Sequence, residues 1–186
     1  MVRGVEIVLV DYDPLWAEEF KRVQYELKSA LPPWVGPIQH VGSTSVTDLC
    51  AKPIVDVLVG VPRLKRTLEL VPLLEALGFT FRPDDDLPDR SYFPRTVGGL
   101  RCHHVSIAEP TSRHYRNTLL FRDALRSDPG LAQRYGQLKR HLAARVGTDR
   151  LSYLNGKTDF VMGVLQATGG EIGDDYPIRD LGRGAE

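Results

Sequence analysis

Apolar and polar positions along the chain follow two periods, one of about two residues and one of about three and a half, and the switches between them mark out the elements. Val5 to Val10 predicts a strand. Asp11-Tyr12-Asp13-Pro14 follows, an acidic cap with proline at the first helical position, so a helix is expected from Leu15 to about Leu31. Pro32-Pro33 ends it, because proline lacks an amide donor and disfavours helix in the residue before it. Ile38 to Val41 reads as a short strand that breaks into Gly42-Ser43-Thr44-Ser45. The run Ile54-Val55-Asp56-Val57-Leu58-Val59 is nearly all β-formers and predicts a central strand, with one carboxylate in its middle.

Leu64, Leu68, Val71, Leu74 and Leu77 keep helical spacing, and Gly78 is placed as the stop. Phe79 to Arg82 starts another strand, and Asp84 to Arg90 is a polar loop. Ser91 to Thr96 and Leu100 to Glu109 flank Gly98-Gly99, a hairpin signal. After Pro110 the pattern is helical to about Ala167. There Leu131, Tyr135, Leu138, Leu142 and Val146 form a core stripe, with Lys139, Arg140 and Arg145 expected on the opposite side. Residues 1–168 read as one domain, and Gly169-Gly170 opens a tail to Glu186 that is expected to be extended or mobile. The fold class expected is α/β (α+β), a mixed sheet flanked by helices with a helical C-terminal half.

Composition narrows the function classes. With 186 residues, 42% apolar and 26% charged, the chain is long enough to bury a core without disulfides or a structural metal. No run is long and apolar enough to span a bilayer, and a cytoplasmic location is the default expectation. Cys50 and Cys102 have no paired spacing and read as reduced thiols. Net charge is zero but uneven: Arg113 to Lys157 holds ten Lys/Arg against three Asp. That basic half suits an anionic ligand, and equally a solvated helical surface. Binding of nucleic acid is a minor option, since no aromatic platform is interleaved with the charges.

The chemistry-bearing signal is a strand, then Gly42-Ser43, then a second strand carrying Asp56. Glycine lets the backbone approach a phosphate closely, amides and a serine hydroxyl donate to its oxygens, and a strand-borne carboxylate offers the hard ligand that Mg²⁺ requires. Thr44 and Lys52 flank this cradle as further phosphate contacts. His40 is a candidate metal ligand and His104 a candidate acid/base, with His103 on the opposite strand face. Arg122 and Arg126 lie four apart on one helix and are candidates to clamp a phosphate, as are Lys139 and Lys157. A Cys102-His103 nucleophile pair is set aside because neighbours on a strand face opposite ways, and no Walker loop occurs.

The string Gln39-His40-Val41-Gly42-Ser43-Thr44-Ser45, followed by Ala51-Lys52-Pro53-Ile54-Val55-Asp56-Val57-Leu58, closely resembles the GrpB-like family. Tyr12-Asp13-Pro14 with Trp16, His103-His104, Leu120-Phe121-Arg122-Asp123 and Gly156-Lys157 extend the likeness from about Glu6 to Ala167. The resemblance implies a polymerase-β-type nucleotidyltransferase fold, in a family whose members also occur fused to dephospho-coenzyme A kinase domains. Departures fall at Gln39 for the family's usual Glu, at Thr47-Asp48 for its Pro-Gly, and at Ser106 for the second His of an H-x-H strand. The second strand carboxylate of active nucleotidyltransferases is replaced by Leu58, a lack that the family shares. Two functions are expected from this pattern. One is an enzyme that moves a nucleotidyl group from a Mg²⁺-bound nucleoside triphosphate to a small acceptor. The other is a non-catalytic nucleotide- or phosphate-binding module.

Overall fold

A computed structural model of the chain describes residues 7–173. Helix α1 spans Leu15–Ala30, with the Asp13 carboxylate accepting from the Leu15 amide at 2.9 Å, and Leu31 turns extended ahead of Pro32-Pro33. Strands β1 (Ile38–Val41), β2 (Val55–Gly60), β3 (Ser91–Val97) and β4 (Leu100–Ala108) form one sheet in the order β1-β2-β4-β3. The β2–β4 pair is parallel and its two neighbours are antiparallel, so the sheet is mixed. Between β2 and β3 lies α2 (Thr67–Ala76); after β4 come α3 (Arg113–Ser127), α4 (Pro129–Val146), α5 (Arg150–Asn155) and α6 (Thr158–Ala167). Gly98 and Gly99 both take positive φ, 59° and 80°, which makes the tight β3–β4 turn that their dipeptide signals.

Strand alternation divides the side chains between two faces. Val55, Val57 and Val59 of β2, with Phe93, Val105 and Ile107, pack against Trp16, Val23, Leu27, Leu70 and Leu74 of α1 and α2. Each such fully buried aliphatic side chain stabilises the fold by about 2 kcal/mol relative to exposure. On the other face Leu58 meets Val41, Ala108 and Tyr115, and a second core of Val46, Leu49, Leu125, Tyr135, Val161 and Leu165 knits the helical half together. Asp128 caps α4 at the Leu131 amide, with Pro129 at its first position, and Asp149 caps α5 at the Ser152 amide.

Several expectations change. Met1 to Glu6 lie outside the described residues, and residues 7–10 make only one bridge, Val10 to Ala51, instead of a strand. Phe79 to Arg82 likewise forms no named strand, although the Thr80 and Arg82 amides donate to the Pro94 and Tyr92 carbonyls along the edge of β3. Pro94 therefore faces this edge with its missing donor and costs the β3–β4 ladder nothing. Helix α2 buries Thr67, Leu70 and Leu74 and leaves Leu68 67% exposed, because a helix apolar at most positions contains two overlapping stripes. Lys139, expected on the solvent side of α4, is 2% exposed. Glu171, in the expected tail, is tied to α3: its amide and carbonyl bond to the Asn117 side chain at 3.0 and 2.7 Å. The tail from residue 174 onward lies outside the described residues.

Asp48 holds φ at 61° on an exposed turn, where the family pattern has glycine. A left-handed L-residue is strained by roughly 1–2 kcal/mol, and glycine gives back part of that gain as unfolded-state entropy. Asp48→Gly is expected to raise stability by about 0.5–1 kcal/mol, measured as the shift of the urea midpoint at constant slope.

Candidate functional site

The second sheet face and the helical half enclose a cavity of about 230 Å³. At its rim β1 ends, and Gly42 (φ 68°, ψ −173°) turns the chain across β2. Val41 pairs with Asp56, so this turn sits against the Asp56 carboxylate. A Cβ on Gly42 would stand 2.3 Å from Asp56 Oδ2. Glycine is thus required twice, by its backbone angle and by the carboxylate beside it. Ser43–Ser45 then forms one 3-10 turn that brings Ser43 and Thr44 to the cavity wall.

The parallel register sets Asp56 opposite His104. His104 Nδ1 donates to Asp56 Oδ1 at 2.9 Å, the arrangement in which a carboxylate, an acceptor only, fixes the imidazole tautomer. Burial pushes the His104 pKa below its ordinary value, with the Asp56 contact opposing that shift. The neutral ring therefore presents the lone pair of Nε2, which is buried and has no hydrogen-bond partner among the described residues.

Cations line the helical side. Lys139 Nζ donates to Ser43 Oγ at 2.9 Å and to the Cys50 carbonyl, and lies 4.9 Å from the Tyr135 ring centroid. Burial lowers its pKa to about 8. Lys52 and Lys157 also line the cavity, Lys157 with its ammonium 4.5 Å from the Tyr153 ring centroid. Of the sequence candidates, Gly42, Ser43, Thr44, Lys52, Asp56, His104, Lys139 and Lys157 are brought together around one space.

Three candidates, His40, Arg122 and Arg126, are not. His40 points to the opposite sheet face, stacked on Phe20 at 4.6 Å with Nε2 hydrogen-bonded to Thr44 Oγ1 at 3.0 Å. Burial takes its pKa down to about 4, against the pull of Asp56, and its place beside Val57 in the register puts it on the sheet face opposite that carboxylate. Arg122 is buried against β1, donating to Gln39 Oε1 and the His40 carbonyl at 3.1 Å each and pairing with Asp123. It braces α3 to the sheet. Arg126 does the same through the Ser45 carbonyl at 2.9 Å. His103 belongs to a network on the α1 face, accepting from Arg95 Nε at 3.1 Å and bonding to Glu19.

Sequence reasoning missed Asp85, Arg90 and Tyr92, which also line the cavity. They sit in or just after a segment that reads as a solvated polar loop. The available signal was Arg90 and Tyr92 two apart, on one face of an approaching strand.

The mixed sheet with its flanking helices is similar to the nucleotidyltransferase fold. Cid1 bound to its short product ApU matches it with a TM-score of 0.50 at 17% identity, over 73% of this chain and 43% of that one, a likeness that shows the fold alone. The GrpB protein family matches residues 6–167, and the chain belongs to that family. GrpB from Enterococcus faecalis matches with a TM-score of 0.78 at 31% identity, over 87% of this chain and 96% of that one. UPF0157 protein YqkA of Bacillus subtilis is 35% identical over 159 residues, 86% of this chain, and this chain spans about half of it, 46%. No helix among the described residues is long and apolar enough to cross a membrane.

Two predictions follow from this geometry. Gly42→Ala should displace the Asp56 carboxylate and destabilise the protein by about 2 kcal/mol or more, read from chemical unfolding. Lys139 prefers its neutral form in the folded state, so its cost is full below pH 8 and is relieved as pH rises through about 8 toward the unfolded value of 10.5. Comparing unfolding free energies of the protein and of Lys139→Met at pH 7 and pH 10 should show the protein gaining on the variant by roughly 2–3 kcal/mol.

Proposed function

We propose that the protein binds a nucleoside triphosphate in this cavity and transfers its nucleotidyl group to a small acceptor. The observation that carries the reading is the convergence of Ser43, Lys139 and Asp56 at one glycine turn. Ser43 Oγ accepts from Lys139 and so keeps its own proton to donate to a phosphate oxygen, while the Lys139 ammonium offsets the phosphate charge. Lys52 and Lys157 extend the cationic wall along a triphosphate.

The donor set fits one Mg²⁺ held by Asp56, with phosphate oxygens and water completing its shell, which is the usual way this ion is bound beside a nucleotide. Among the described residues no group of three His, Cys, Asp or Glu side chains is placed to hold a metal by itself. When bound, the ion supplies charge neutralisation at the phosphates. The chain's own residues do the rest. His104 Nε2 takes the proton of the acceptor's O–H or N–H, the freed atom bonds to the α-phosphorus, and the bond from that phosphorus to the bridging oxygen breaks. Pyrophosphate leaves against Ser43, Lys139 and the loop amides. Asp56 holds the imidazole in the tautomer that the step needs.

A second reading has its own observation. Leu58 is fully buried where a second carboxylate would stand, and this favours a nucleotide- or phosphate-binding module without transfer. Thermal unfolding with each of the four nucleoside triphosphates, with and without Mg²⁺, separates the two. Transfer predicts a selective, Mg²⁺-enhanced rise in midpoint that Asp56→Asn abolishes, together with pyrophosphate release when acceptors are supplied. The binding module predicts stabilisation that is independent of Mg²⁺ and of Asp56. No shift with any triphosphate at millimolar concentration would sink both.

A further inference from the structure

Buried polar atoms without partners are rare in folded proteins, and each one calls for an explanation. Among the described residues, three that line the same cavity each carry one: His104 at Nε2, Asp85 at Oδ1 and Arg90 at Nε. Asp85 is 5% exposed and Arg90 only 1%. The neighbouring acids are engaged elsewhere. Asp86 accepts from the Tyr92 amide at 2.8 Å and from Ser91 Oγ at 3.0 Å, and Asp89 accepts from the His114 amide at 2.8 Å. The Arg90 guanidinium reaches the Asp85 backbone carbonyl through Nη2 and stands 5.0 Å from the Tyr92 ring centroid. No carboxylate is hydrogen-bonded to it among the described residues.

The sheet order orients these groups. Ser43 lies beyond the β1 end, Asp56 on β2, His104 on β4, and Tyr92 on β3 with its ring 5.3 Å from that of His104. Arg90 and Asp85 come just before β3, so the Asp56–His104 pair stands between them and Ser43. In phosphoryl-type transfer the attacking and leaving atoms are roughly in line across the phosphorus. With pyrophosphate leaving on the Ser43 side, the acceptor has to enter from the β3 side.

We propose that Asp85 and Arg90 form the acceptor subsite, and that the acceptor carries an anionic group, carboxylate or phosphate, next to a hydroxyl or ammonium donor. The inference rests on the nucleotidyl-transfer reading and gives that reading its second substrate class. Arg90 Nε–H donates to the anionic group, Asp85 Oδ1 accepts from the donor, and a neighbouring nucleophile meets His104 Nε2. A ligand with only one of these functions leaves the other buried atom unpartnered, which penalises it heavily.

The test is calorimetry on the full chain loaded with Mg²⁺ and a non-hydrolysable nucleoside triphosphate. The probes are L-serine for the carboxylate source and sn-glycerol 3-phosphate for the phosphate source, with acetate and ethanolamine as single-function controls. One of the two bifunctional probes should bind at least about tenfold tighter than either control, and which one names the source. Asp85→Asn and Arg90→Met should each weaken that probe about tenfold or more while nucleotide affinity stays within about threefold. Asp85→Asn keeps the side-chain shape, so it carries the test where Arg90→Met fails to fold. Bifunctional probes no tighter than the controls, or unchanged in the variants, would overturn the subsite. A nucleotide that fails to bind sinks the nucleotidyl-transfer reading, whereas probes that fail beside a bound nucleotide sink the subsite alone.

Discussion

The parallel register of β2 on β4 decides where every reactive group in this protein goes. It sets Asp56 beside His104 and Leu58 beside Ser106, and alternation then sends Val55, Val57 and Val59 to the face covered by α1 and α2. A slip of one residue would drive Asp56 into that apolar layer and bring Val57 to the cavity. The Asp56–His104 contact and the valine layer therefore enforce the same alignment from opposite faces. Gly42 depends on it as well, because the turn out of β1 has room beside the Asp56 carboxylate only while β1 keeps Val41 opposite that residue.

Among the described residues four Lys/Arg cations are buried to less than a tenth exposure, and their surroundings differ in a way that sorts them. Arg95 is ion-paired with Glu26 at 2.8 Å and bonded to His103 and the Leu77 carbonyl. Arg122 is paired with Asp123 and bonded to β1. Both tie elements together, and a compensated buried charge of this kind specifies geometry. Lys139 and Arg90 hold carbonyl and hydroxyl oxygens and no carboxylate among the described residues. Burial lowers the pKa of both, the expected consequence of a charge taken from water without an anion in exchange. These two line the cavity, and the two structural arginines do not. The cations without a paired carboxylate are thus the ones at the cavity, which is the observation that the proposed anionic ligand rests on.

Much of this was legible in the sequence because it depends on short-range rules. Gly98-Gly99 gave the hairpin, Asp13-Pro14 the start of α1, and the Gly42-Ser43 and Asp56 spacing the core of the candidate site. What was not legible depends on register and on helix–helix packing. The divisions of the helical half are signalled by Asp128-Pro129 and by Asp149, but such caps stand out only once the helices are known to separate there. Lys139 is a phosphate candidate in the sequence, but its burial is not legible there, because it depends on Ser43 and Cys50 being folded over α4. Arg90 and Tyr92 escaped for a sharper reason. Counting back from the glycine turn, Thr96 faces Arg101, and continued pairing would set Tyr92 opposite Val105 on the apolar face. An irregularity between Arg95 and Thr96 shifts the ladder by one, so Tyr92 faces Ser106 and the cavity instead.

The lack of a second strand carboxylate is a consequence of packing as much as of chemistry. Leu58 is completely buried and forms, with Val41, Ala108 and Tyr115, the joint between the sheet and α3. An acid at that position would lose its apolar contacts and also bury an unpaired charge, a change that destabilises a fold by several kcal/mol. The helical half is seated on the very position that would otherwise hold the second ligand. Any chemistry in the cavity therefore starts from Asp56 and His104, held 2.9 Å apart on β2 and β4. The loop before β3 adds Asp85 and Arg90, each with a buried atom that has no hydrogen-bond partner among the described residues.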